Sequence, residues 1–488
     1  MKLKTKTLIL ISSAAIISSC AFWSSNRVPA NLKSTNNLLD KSQLIVDLVA
    51  TREINPDNCK SQISNLIEDY HLGQSSLDVE MAKVQGQDIL DKSFEARMSL
   101  RSLLGVLPRD CKIQMKDLFL KMRLVEDLVG TYYYNTPQIS SSTIKYQEQP
   151  TPIYEAHKYQ PYHLGKGLDE KKKFEFKNGD IMITKGVSFI SSTISELASP
   201  KSVYSHIVFV HVDEVTKVVS TIESYVGVGV SIFPMDEALR NENSRILVLR
   251  SKDQALASKA ANYMFDRVMR AKKQKKVILY DYNLDFADNS TMSCEEVAYD
   301  AFKHASDGQF IIPEIESVVE LDDMAFLKRV GVKKGSMMVP TDMETDSRFD
   351  VVLDWTDYRV MRDSWRKDSL LGEMFNWIQN HDYRIYENLT SKAAKLIWST
   401  RYIPGVWHIL SKIAKIPTNF TKEVPSLSIT TIASLQAIGT ELLNEANRVD
   451  VESYSKTGRW LSKAELAKAL DEYRQTNPKK LRKVFREK

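Results

Sequence analysis

The stretch YDYNLDFADNSTMSCEEVAYDAFKH, residues 280–304, decides how the rest of the chain is read. Before Cys294 stand small, polar or acidic residues, among them Asp285, Asp288, Asn289, Ser290, Thr291 and Ser293. After it Val297, Ala298, Ala301, Phe302 and Ala305 recur at helical spacing. Cys294 is therefore expected at the start of a helix. A thiol there meets unpaired backbone N–H groups and the positive end of the helix dipole, and both favour the nucleophilic thiolate. The same residues also read as a small buried side chain that happens to precede a helix.

A nucleophilic thiol needs a base. Among eight histidines, His206 has a distinctive setting: YSHIVFVHV, residues 204–212, reads as a buried strand with His206 just inside its start. His211 lies five positions on, so strand alternation puts it on the opposite face. A second strand pattern, residues 218–233, carries one carboxylate, Glu223, among apolar or small neighbours, with Gly227 and Gly229 interrupting it. A carboxylate in that position can accept the second ring N–H of a histidine and stabilise its imidazolium. The candidate catalytic trio is thus His206, Glu223 and Cys294, in that order.

Those pieces, with Gly179-Asp180-Ile181, Tyr204-Ser205-His206, Ile222-Glu223-Ser224, Tyr280-Asp281-Tyr282 and Ser293-Cys294-Glu295-Glu296-Val297, carry a resemblance. The chain resembles the circularly permuted branch of the NlpC-type papain-like cysteine hydrolases, the YiiX-like group, in which the His strand and the polar strand precede the Cys helix. The resemblance covers roughly residues 174–312. It implies an α+β fold with a permuted papain-like domain, and a hydrolase working through an acyl-enzyme on Cys294. The oxyanion would sit against the backbone N–H of Cys294 and its neighbours, with support from Tyr280 or Tyr282. Implied substrates are wall-peptide amides or, through likeness to lecithin–retinol-type acyltransferases, acyl lipids. A Ser commonly follows the cysteine in this group; Glu295 stands here, which leaves the nucleophile intact and bears on substrate preference.

Residues 1–19 join three lysines to a short apolar run and are expected to be a signal peptide. The run ends Ile17-Ser18-Ser19-Cys20, which resembles the bacterial lipobox, so Cys20 is expected to be lipidated and residues 20–33 to form a tether. That places the protein in a bacterial cell envelope, membrane-anchored through Cys20. Ala21 rather than Asp points to the outer membrane, facing the periplasm. Lys2, Lys4 and Lys6 are three of the 67 basic residues, so removing them leaves 64 against 62 acidic ones, a net charge near +2. Such a balance argues for neither nucleic acid nor an acidic substrate as partner.

Residues 34–135 read as a helical bundle. Its starts Pro56-Asp57-Asn58-Cys59 and Pro108-Arg109-Asp110-Cys111 are near copies, with Asp57 or Asn58 and Asp110 as candidate caps. With Cys20 lipidated and Cys294 free, Cys59 and Cys111 are the natural disulfide pair in an oxidising compartment. Residues 136–173, with four prolines, read as a linker or strap. The catalytic domain is expected over 174–335. Residues 336–488 read as mainly helical, with a capping box at Ser462-Lys463-Ala464-Glu465 and a basic tail. No metal-ligand spacing and no cofactor motif stands out. The alternative to a hydrolase is a catalytically inactive papain-like scaffold or binding protein of the envelope.

Overall fold

The computed structural model describes residues 37–135, 160–168, 174–239, 243–319, 335–386, 389–413, 422, 426–481 and 485–487. The expected signal peptide, Cys20 and its tether, and most of the 136–173 strap lie outside the described residues.

Helices α1 (Leu38–Ala50), α2 (Cys59–Ser75), α3 (Val79–Ser102) and α4 (Arg109–Tyr133) form the N-terminal bundle. Asn37 and Asp78 cap α1 and α3 by accepting from the amides of Leu39 and Met81. The expected cap at Asp110 does not form. Pro108 is the N-cap of α4, and Asp110 falls inside the first turn, where its carboxylate meets the helix dipole instead. Leu118, Phe119, Met122, Val125 and Val129 of α4 are buried. Cys59 and Cys111 are joined, with Cα atoms 6.0 Å apart, tying the start of α2 to that of α4.

The middle of the chain runs β1 (Tyr162–Leu164), β2 (Ile181–Gly186), α5 (Phe189–Leu197), β3 (Ala198–Ser199), β4 (His206–Val212), β5 (Val219–Tyr225), β6 (Gly229–Pro234), α6 (Met235–Leu239) and β7 (Asn243–Ser251). It continues through α7 (Gln254–Lys273), α8 (Cys294–Ala305), β8 (Ser317–Val319), β9 (Gly335–Met337), α9 (Pro340–Glu344) and β10 (Phe349–Thr356). Seven strands make one antiparallel sheet in the order β1-β10-β7-β2-β4-β5-β6. Alternation divides its side chains cleanly. Ile183, Ile207, Phe209, Ile222 and Leu247 join the core shared with α7, α8 and the bundle. Met182, Val208, Val210, Ile246 and Val248 face the other way, onto Phe174, Phe176 and Trp355.

Two boundaries differ from the sequence reading. The sheet takes β1 from the expected strap and β10 from the expected helical C-terminal region, so the fold unit runs past residue 335. The single strand pattern at 218–233 is a hairpin, β5 and β6, turned at Gly227 and Gly229, both at positive φ.

The C-terminal region contains α10 (Met361–Asn380), β11 (Tyr383–Ile385), α11 (Leu389–Ser399), α12 (Pro404–Ile413), α13 (Ser426–Thr457), α14 (Lys463–Thr476), α15 (Pro478–Leu481) and β12 (Phe485–Glu487). The expected capping box at Ser462 and Glu465 is present. Within the basic tail, β12 pairs antiparallel with β11, and Phe485 is fully buried. Buried ion pairs join the bundle to the sheet. Arg97 meets Glu126 at 2.9 Å and Asp354 at 2.7 Å, while Arg123 meets Glu344 at 2.5 Å and Asp354 at 3.1 Å.

Candidate active site

The ladder between β4 and β5 runs from Val212 opposite Val219 to Phe209 opposite Ile222, and stops there. Beyond that point β4 stays with β2 and β5 stays with β6, so the two strands fork. The segment leading into α8 occupies the fork. Ser224 Oγ donates to the carbonyl of Met292 at 2.6 Å, and the amide of Ile207, freed by the end of the ladder, points at the sulfur of Cys294. Cys294 is the first residue of α8; Ser293 caps the helix and Glu296 returns the bond to the amide of Ser293 at 2.6 Å. The loop before it is fixed by Asp281, which is buried and accepts from the amides of Asn283 and Asp285 at 2.7 and 2.6 Å. Its base lies on β6: Val230 donates to the carbonyl of Ile278 at 2.8 Å, and a Cβ at Gly229 would come within 2.3 Å of that oxygen, so only glycine fits.

On β4 and β5 the residues of the other parity meet. His206 Nε2 lies 3.0 Å from Glu223 Oε2, and the imidazole stacks on Tyr225 with ring centroids 4.9 Å apart. Glu223 is 1% exposed, and it also accepts from Tyr225 at 2.6 Å and from Thr221 at 2.5 Å. Three donors converge on one acceptor-only carboxylate, so the histidine's Nε2 carries the proton and Nδ1 is its basic nitrogen. Thr221 and Tyr225 were not singled out in the sequence. Period-two spacing around Glu223 would have placed both on its face.

The electrostatics of Cys294 differ from the expectation for a helix N-terminus. The side chain is 2% exposed. Burial pushes its thiol well above the usual value, the Glu295 carboxyl beside it pushes the same way, and the Ile207 amide opposes only in part. Desolvation and a like charge therefore outweigh the helix dipole, and both favour the thiol form of Cys294. Glu295 is itself buried and displaced upward, by burial first, while its own amide, the Cys294 thiol and Ser293 hold it down. Its side chain turns back on its own amide, on Ser293 and on the Cys294 thiol. Burial likewise raises Glu296, to about 7.

Of the two tyrosines named as oxyanion support, Tyr280 lies nearest the sulfur. Its phenol is raised well above the usual value by burial and then by Cys294 and Glu295. Tyr282 meets Tyr280 edge-on at 5.1 Å and otherwise packs against Trp398 and Ile429 of the C-terminal region. His211 faces away, stacked on Phe265 of α7 at 3.9 Å, and burial lowers it. Among the described residues no group of three or more His, Cys, Asp or Glu side chains is placed to hold a metal ion.

No family model matches the chain, and no curated protein does. Among solved structures, the crystal structure of the metalloprotein yiiX from Escherichia coli O157:H7 is similar to it over 37% of this chain and 97% of that one. The identity is 17% and the TM-score 0.29.

Proposed function

We propose that this chain is a cysteine hydrolase with a permuted papain-like arrangement, cleaving an amide or ester of the cell envelope through an acyl-enzyme on Cys294. The observation that carries the reading is the fork between β4 and β5, which brings a carboxylate-paired histidine and a helix-starting cysteine to one end of the sheet. His206 Nδ1 takes the thiol proton, and Glu223 holds the ring and balances the imidazolium. The thiolate attacks the carbonyl carbon, and the oxyanion forms at the start of α8, beside Tyr280. His206 returns the proton to the leaving amine or alcohol, and water, deprotonated by His206, releases the acid. Lipidation of Cys20 would hold the enzyme at the outer membrane, within reach of wall-peptide or acyl-lipid substrates.

A buried, raised thiol also suits a second reading, an inactive envelope scaffold. A fluorescent thiol-reactive probe near neutral pH separates the two. The hydrolase reading expects labelling at Cys294 that falls about tenfold or more in His206→Ala; labelling equal in His206→Ala and the parent rejects it.

A further inference from the structure

Helices α11 and α12 form a hairpin with two unlike faces. On the inner face Trp398 is fully buried, Trp407 meets it edge-on at 5.3 Å, and both pack with Ile429 of α13 against Tyr282. On the outer face Leu396 is 71% exposed, Tyr402 60%, Ile403 54%, Val406 41% and Ile409 61%. These are five of the fourteen large apolar side chains exposed among the described residues, all within positions 396–409, so they make a patch rather than scatter.

The hairpin's own sequence carries charge of one sign. Positions 389–413 contain Lys392, Lys395, Arg401 and Lys412 and no Asp or Glu. Arg401 lies over the rings of Trp398 and Tyr402 at 5.1 and 4.6 Å, and Lys422 reaches the Tyr402 ring at 5.7 Å. Cations flanking an exposed apolar face suit a surface that is apolar below and anionic above, which is the headgroup boundary of an acidic bilayer. No helix among the described residues is long and apolar enough to cross a membrane, so the hairpin would lie along the surface.

We propose that the α11–α12 hairpin docks on an anionic phospholipid surface through Leu396, Ile403, Val406 and Ile409. We infer further that docking draws the hairpin off Tyr282 and opens the way to Cys294. The second step rests on the hydrolase reading; the first does not. In the resting protein Tyr282 bridges Tyr280, beside the sulfur, to the two tryptophans. A hairpin held by lipid on its outer face would release that bridge from its inner one.

The test uses the full chain carrying Cys20→Ser, so that no acyl chain contributes. Its sedimentation with vesicles of phosphatidylcholine alone is compared with vesicles of phosphatidylcholine and phosphatidylglycerol. Binding is expected only to the mixed vesicles, weakened by salt, and reduced about tenfold by Leu396→Asp/Ile409→Asp and by Lys392→Gln/Lys395→Gln. Cys294→Ala should bind as well as the parent. Both double variants alter exposed positions, and unchanged urea midpoints confirm that they fold. Equal binding to both vesicle types, or undiminished binding of Leu396→Asp/Ile409→Asp, overturns docking. So does a dimer that Ile409→Asp dissociates while no vesicles bind, since a second copy would then cover the patch. For the opening step, mixed vesicles should speed thiol-probe labelling of Cys294 about tenfold in the parent and not in the apolar variant. Binding with unchanged labelling refutes the opening and leaves docking standing.

Discussion

Replacing Glu223 by Gln tests the histidine pairing while sparing the fold. Glu223 Oε2 accepts from His206 at 3.0 Å and from Tyr225 at 2.6 Å, whereas Oε1 accepts only from Thr221, at 2.5 Å. A glutamine fits with its carbonyl toward His206 and Tyr225 and its amide nitrogen toward Thr221, whose hydroxyl turns to accept. Every hydrogen bond survives, so stability should change by less than about 1 kcal/mol in urea unfolding. Alanine instead strands the buried Thr221 hydroxyl, at about 1–3 kcal/mol. What glutamine loses is the negative charge opposite the imidazolium. At an effective dielectric of about 20, a unit charge at hydrogen-bond range contributes about 4 kcal/mol before competing solvation, so a loss of about 10²–10³ in acylation rate is reasonable. The assay follows alkylation of Cys294 by iodoacetamide against pH, beside turnover of a small ester. Glutamine with parental rates at every pH would refute the assigned role, as would a glutamine variant as unstable as alanine.

Glu295→Gln removes the carboxyl that opposes thiolate beside Cys294, so alkylation at neutral pH should rise about tenfold, worth about 1.4 kcal/mol; an unchanged rate would remove Glu295 from the account. Arg123→Leu leaves the buried Glu344 and Asp354 with Arg97 as their remaining shared cation and should cost up to about 3–5 kcal/mol in urea unfolding, with a loss under about 1 kcal/mol counting against the seam. Burial alone would raise Asp368, but Lys185 and Lys463 hold it at about 2. Its share of stability, about 2 kcal/mol, is present above the unfolded carboxylate range near pH 4 and lost as pH falls toward 2; Asp368→Asn should flatten that part of the pH profile. Reducing Cys59–Cys111 opens a 52-residue separation and should cost up to about 4 kcal/mol while Cys294 chemistry persists, checked by urea midpoints with and without reductant.

The elements whose periodicity reports their own burial were legible in the sequence. The alternation in 204–212 separated His206 from His211, and the polar run before Cys294 with the helical spacing of Val297, Ala298, Ala301 and Phe302 after it marked the helix start. What could not be read is what depends on distant partners. Arg123, Glu126 and Asp127 look like the solvated side of α4, yet they are buried because Arg97, Arg245, Glu344 and Asp354 come to meet them from elsewhere in the chain. The strand β10 was invisible as part of the sheet because its neighbours β1 and β7 lie far from it in sequence. The state of the Cys294 thiol was misjudged for a related reason. A helix N-terminus is a local feature, whereas the burial that outweighs it comes from Tyr280 and the strand fork.

The central claim is an acyl-enzyme on Cys294 formed with the help of His206. Its most direct test is intact mass measurement of the protein after brief incubation with a bacterial envelope extract and acid quench. The account predicts a single added acyl mass that maps to Cys294, names the substrate class by its composition, and is absent from Cys294→Ala and His206→Ala. An adduct formed equally by His206→Ala, or no adduct on Cys294 under conditions where the extract's own amides or esters are cleaved by the added protein, would contradict it.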